Sequence, residues 1–229
     1  MISGTLLVET VHFQQIDQSN IGDHYYLEAT DVCLFLREYT SGKYYSFSAT
    51  NNLISNLKKK PSRLGLPDYH YKLQAISQCA AWLGPSFNPE WLRGATLIPV
   101  PPSKPKGDPE YDDRILKICQ SISVEFPLDI RELVVQRQAL RAAHESTGNR
   151  PTIDEIVANY DIDETKTTPI PSRIAIVDDV LTAGTHFKAM QHVLIHRFPS
   201  ATIVGVFIAR RVLPNSKPEL VFDVVDNNT

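Results

Sequence analysis

The chain lacks most of the marks of a specialised protein. Its three cysteines, Cys33, Cys79 and Cys119, are widely spaced and form no Cys-x-x-Cys. That excludes a zinc ribbon or a disulfide framework and suits a reducing compartment; such thiols are expected as small core residues. No apolar run approaches the roughly 18 residues of a membrane span. The N-terminus has no basic region followed by an apolar stretch, so no secretory signal is expected. Together these point to a cytoplasmic protein with no membrane partner. The formal charge of −3 gives no general attraction to nucleic acid, which is therefore an unexpected partner, although a local basic patch remains open. No internal repeat or low-complexity tract occurs. His192 and His196 stand one helical turn apart, but no Glu follows His192 as an HExxH zinc site requires, so they are expected on an exposed helix face.

What is present is globular: 229 residues, 42% hydrophobic and 21% charged, enough for one large domain or a medium one with an addition. Two regions differ in pattern. In the first 60 or so residues, Thr5–Phe13 and His24–Phe47 are rich in Val, Leu, Phe and Tyr and are broken by turn signals at 19–23 and 40–43. They predict a small, mainly antiparallel β unit. Tyr25, Tyr26, Tyr44, Tyr45 and Phe47 are expected to pack in its core and edges, a partner surface being the lesser reading. Asn51–Lys60 predicts a short helix with Leu53, Ile54 and Leu57 on one face. Lys58, Lys59 and Lys60 complement the dipole of its last turn, which outweighs a phosphate-binding role. A linker at 61–67 closes residues 1–67.

From 68 to 229 strands alternate with helices, which predicts a mostly parallel sheet with right-handed crossovers. A helix is expected over Tyr69–Leu83, ended by Gly84-Pro85, and a strand over Ala95–Val100. Asp108 with Pro109 should cap and open the next helix. Arg131–Val135 follows as a short strand and Thr152–Glu155 as a capping box. The strand Arg173–Val177, the helix Gly184–Arg197 and strands at Thr202–Ala209 and Leu220–Val224 complete the series.

The most informative run is Arg173–His186, an apolar strand that ends in Asp178 and Asp179 and passes through a Thr/Gly loop into a helix. Ligands bind open α/β sheets outside the carboxyl ends of strands. Free N–H groups at a helix start favour phosphate. Gly184 permits close backbone approach, and Thr182 and Thr185 add hydroxyl donors. A carboxylate pair beside a phosphate cradle suits a polyol or a hydrated metal, so the run reads as a sugar-phosphate site.

Strand, acidic pair, loop and helix in this register resemble the phosphoribosyl pyrophosphate (PRPP) motif of type I phosphoribosyltransferases. The spelling Val-Asp-Asp-Val-Leu-Thr-Ala-Gly-Thr is closest to the orotate-type enzymes. The Pro-Val-Pro loop with an Asp-Arg helix is similar to competence-linked amidophosphoribosyltransferase-like proteins. The resemblance spans roughly residues 69–229. It lacks the zinc ribbon of the latter group and the Lys-rich lid of the orotate enzymes, and residues 1–67 resemble no known family.

The resemblance implies a type I phosphoribosyltransferase fold and a glycosyltransferase of nucleotide metabolism that uses PRPP, Mg²⁺ and a small-molecule acceptor. Thr182, Ala183, Gly184, Thr185 and His186 would then cradle the 5′-phosphate. Asp178 and Asp179 would engage the ribose hydroxyls directly or through magnesium-bound water. Ser103 and Lys104 would hold pyrophosphate, Arg137 and Arg141 in a hood over 136–151 would meet its charge with His144 as a weaker candidate, and Arg210 would contact the acceptor. The rival class is a non-catalytic regulator of the same fold that binds PRPP or nucleotides and acts through its N-terminal unit. A homodimer or a protein partner at that unit is a further expectation.

Overall fold

The computed structural model describes residues 11–138 and 151–214. In chain order its elements are β1 (Gln14–Gln15), β2 (Cys33–Thr40), α1 (Ala49–Leu57), α2 (His70–Ser86), α3 (Pro89–Arg93), β3 (Thr96–Pro99) and α4 (Arg114–Gln120). There follow β4 (Asp129–Ile130), β5 (Val134–Gln136), α5 (Ile153–Asn159), β6 (Tyr160–Ile162), β7 (Arg173–Leu181), α6 (Thr185–Arg197) and β8 (Thr202–Val212). Six strands make one sheet in the order β1-β2-β8-β7-β3-β4, parallel except at β1. β5 and β6 form a separate antiparallel ribbon. The chain is thus an α/β protein with a mostly parallel sheet.

Helices cover both faces, which is why the central strands are continuously apolar. Along β7, Ala175 and Val177 join a cluster with Leu57, Leu83 and Ile118, from α1, α2 and α4. Ile174 and Ile176 join a second cluster with Ile156 of α5 and Phe187, Met190 and Leu194 of α6. Cys33, Cys79 and Cys119 are all buried.

The N-terminal region differs from the expected antiparallel unit. β2 lies parallel to β8, from Cys33↔Gly205 to Thr40↔Val212, inside the main sheet. Its run Cys33-Leu34-Phe35-Leu36 explains this: Phe35 packs into the α6-side cluster and Leu36 into the α1/α2-side cluster, and burial on both faces marks an interior strand. Among the described residues of this region, only the two-residue β1 pairs antiparallel. The tyrosines are not core residues either. Tyr25 is 83% exposed, Tyr44 84%, Tyr45 63% and Phe47 54%.

Smaller departures have local causes. Asp108 accepts from the N–H of Glu110 at 2.8 Å, so it closes a turn, and the helix begins six residues later at Arg114. Of the segment expected as one strand at 131–135, only Val134 and Val135 are strand, in β5 of the ribbon, while β4 in the sheet ends before it at Ile130. α2 runs past Gly84-Pro85 to Ser86; Pro85 removes the N–H that would bond the carbonyl four residues back, and the helix ends one residue later. The capping box at Thr152 forms as expected, with Glu155 returning to the Thr152 N–H. The expected strand at Leu220–Val224 lies outside the described residues.

Candidate functional site

Successive side chains on a strand point to opposite faces, so two adjacent carboxylates at the end of β7 cannot share one environment. Asp179 turns toward the α1/α4 layer. Arg114, at the start of α4, donates to it at 2.9 Å through Nε and lies within 2.8 Å through NH2. Lys58, just past α1, reaches within 3.2 Å. Asp178 has no cation within ion-pair distance among the described residues. Its Oδ1 accepts the N–H of Asp179 at 2.8 Å, and its charge is felt at the Tyr160 hydroxyl on β6. The strand itself extends through both residues to Leu181, four beyond the expected end.

The pair splits electrostatically as well. Burial, then the neighbouring Asp179 charge, pushes the Asp178 carboxyl up to about 7. Asp179 is held well below the usual carboxylate range; burial opposes this, and the Lys58 and Arg114 cations overcome it. For Asp178 the folded protein binds the proton more tightly than the unfolded chain between about pH 4 and pH 7. Stability therefore falls as pH rises through that window, by at most about 1.4 kcal/mol per pH unit. Asp179 acts in the opposite sense, its contribution being complete above about pH 4 and lost in acid. Urea midpoints measured from pH 5 to 8 are expected to decline for wild type relative to Asp178→Asn, and parallel profiles would refute the assignment.

A ring of buried charge fixes these positions. Lys72 of α2 is 2% exposed. It donates to the carbonyls of Leu57 at 3.0 Å and Lys59 at 2.7 Å, and to Asp112 at 2.8 Å. Asp112 also accepts from Arg114 at 2.7 Å. The end of α1 is thereby pinned so that Lys58 meets Asp179. Lys58 and Arg114 are thus site residues that sequence reasoning missed. The triple lysine at 58–60 carries the signal, but on the sequence alone compensation of the helix dipole accounts for it as well.

The Thr/Gly loop before α6 is shaped from behind. The Thr182 carbonyl meets Nδ1 of His24 at 2.5 Å, and the Ala183 carbonyl accepts the N–H of Tyr26 at 2.9 Å. With those carbonyls bound, the N–H groups of Ala183, Gly184 and Thr185 find no acceptor among the described residues. Gly184 sits at φ +89° immediately before α6. Three free donors at the start of a 13-residue helix make an anion cradle. His186 lies 3.1 Å from the Tyr160 hydroxyl through Nδ1, and burial holds it neutral by lowering its affinity for a proton. It braces the ribbon against the loop.

The chain matches no protein-family model and no curated protein.

Other expected residues are distributed unevenly. Lys104 and Arg137 line one cavity of about 350 Å³, bounded also by Val100, Asp112, Val134 and Gln136; Ser103 is exposed on the same loop. Asp112 links that cavity through Arg114 to Asp179. Arg137 is 3.4 Å from Asp161 with both side chains largely exposed. Arg141 and His144 lie outside the described residues. Arg210 is 7% exposed, and its guanidinium is taken up by Asp23 at 2.9 Å and by Glu38, over the Phe35 ring. The structure thus gives it a structural partner set on the β2 side.

Magnesium takes oxygen ligands and retains water. Asp178 offers a carboxylate without a cation, whereas the oxygens of Asp179 are occupied by Lys58 and Arg114. No group of three or more His, Cys, Asp or Glu suited to a metal occurs among the described residues. The residues fit Mg²⁺ only as an ion whose other ligands are phosphate oxygens and water. No helix among the described residues is long and apolar enough to cross a membrane.

Proposed function

We propose that the chain binds PRPP and acts as a phosphoribosyltransferase in the cytoplasm, with a type I fold. It would pass the 5-phosphoribosyl group to a nitrogen acceptor, a nucleobase or an amine. The observation that carries this reading is the free-donor loop at Gly184, set beside an unpaired Asp178 at the end of the central strand. The N–H groups of Ala183, Gly184 and Thr185 bind the 5′-phosphate, with the Thr182 and Thr185 hydroxyls beside them. Asp178 accepts from the ribose hydroxyls and, by its charge, stabilises positive character at the anomeric carbon. Asp179 orients Asp178 and Lys58 in place of reacting.

At that carbon the bond to the pyrophosphate oxygen breaks as the bond to the acceptor nitrogen forms, and the acceptor gives up its proton. Lys104 and Arg137 supply cations for the departing pyrophosphate. Magnesium, carried in on the phosphates, would neutralise part of the same charge. Holding the two reactants in line accounts for much of the acceleration such a site can give.

One observation favours a sensor without turnover. Arg210, which the resemblance assigns to the acceptor, is already ion-paired to Asp23 and Glu38. Pyrophosphate release from Mg²⁺-PRPP, followed against purines, pyrimidines and glutamine, decides between them. Turnover with any acceptor is expected. Firm PRPP binding without turnover on the whole panel would support the sensor, and no PRPP binding would refute both.

A further inference from the structure

The charge of the chain is unevenly placed. Residues 39–67 contain five Lys and Arg and no Asp or Glu, in a chain whose formal charge is −3. The structure gathers this stretch around α1, against α2. Between the two helices runs a groove of about 690 Å³ whose lining includes Arg37, Tyr45, Asn52, Gln74, Gln78 and Trp82 and, among the described residues, no carboxylate. Tyr45, Asn52, Asn56 and Tyr71 also line a neighbouring hollow of about 400 Å³, which continues toward Lys59. The one carboxylate lining it among the described residues, Asp68, is bonded to Arg63 at 2.9 Å and lies 3.9 Å from Lys59.

Rings and cations alternate along this surface. Tyr45 is 63% exposed and Tyr71 46%. The Arg37 guanidinium lies 5.0 Å from the Trp82 ring centre, Lys59 5.6 Å from that of Tyr71 and Lys43 5.6 Å from that of Phe47. Between them stand amides that both donate and accept. We propose that this groove binds single-stranded nucleic acid. Exposed rings offer stacking platforms to unpaired bases, interleaved cations meet the phosphates, and the amides face base edges. A neutral glycan would use the rings and amides but leave the cations unmatched. An acidic peptide would use the cations but not a run of stacking faces. The groove is separate from the loop at 182–185, yet the end of α1 touches both regions: Lys58 meets Asp179, and Lys59 lines the neighbouring hollow.

The test uses the full chain and a fluorescein-labelled single strand of about 15 nucleotides, of mixed sequence, as RNA and as DNA. Anisotropy is read over a potassium chloride series. Saturable binding is expected, weakening with salt by a slope of about −0.7 per phosphate contacted. Tyr45→Ala combined with Tyr71→Ala should weaken binding by roughly tenfold or more while leaving the salt slope unchanged. Lys43→Gln with Lys59→Gln should lower the slope. All four side chains are at the surface or its edge, and circular dichroism confirms that the variants fold. Excess PRPP should not displace the strand. The proposal is overturned if neither strand binds at low salt, or if PRPP competes. It also fails if polyglutamate or heparin binds as tightly with no loss in the double tyrosine variant, which would mark a site for acidic peptide or general polyanion.

Discussion

Asp179→Asn is expected to cost the folded protein about 3 kcal/mol, because it leaves the Arg114 guanidinium in its buried position without the charge it balances. Arg114 would retain Asp112, and Lys58 is 45% exposed and can turn to water, so the loss lies at the lower end of what breaking a buried pair does. Against a total stability of roughly 5–15 kcal/mol this is a large fraction. Asp178→Asn should behave in the opposite way. It removes a carboxylate whose ionisation the fold opposes, so stability near pH 8 should hold or rise, while binding of Mg²⁺-PRPP is lost. Urea unfolding and calorimetry on the two variants give the comparison. If both lost stability alike, the division of the pair into a positioning and a ligand-facing carboxylate would be wrong.

Gly184→Val should abolish PRPP binding. At φ +89° a side chain is strained in any case. Here a Cβ would also stand 3.0 Å from Cδ2 and 3.2 Å from Cγ of Leu27. The loop must shift to relieve that contact, and its three N–H groups shift with it. Some destabilisation accompanies the change, so calorimetry is best paired with a melting curve. A folded variant with wild-type affinity for PRPP would remove the phosphate loop from the argument.

The sequence was most readable where local rules suffice. The helix at Ala49–Leu57, the capping box at Thr152 and the Thr/Gly loop opening α6 all follow from spacing and end chemistry within a few residues. What could not be read depends on partners far along the chain. The environment of Asp179 is set by Lys58 and Arg114, which reach it only after α1 and α4 have packed on the sheet. Nothing in the spacing around Lys72 marks it out, and only the meeting of α2 with the end of α1 makes it a buried cross-link. The parallel placement of β2 was equally hidden, because an apolar run of four residues serves an antiparallel ribbon or an interior strand with the same letters.

The pairing of β2 with β8 also bears on how the chain can be divided. A cut at residue 67, where composition changes, would strip the seven residue pairs from Cys33↔Gly205 to Thr40↔Val212 and leave β8 as a bare margin. Bare margins of apolar strands recruit other strands, and fragments that carry them self-associate. The same cut would remove His24 and Tyr26, whose bonds hold the carbonyls of Thr182 and Ala183. A fragment that begins at 68 should therefore be sticky and poorly shaped for phosphate, even though it retains every residue of the acidic motif.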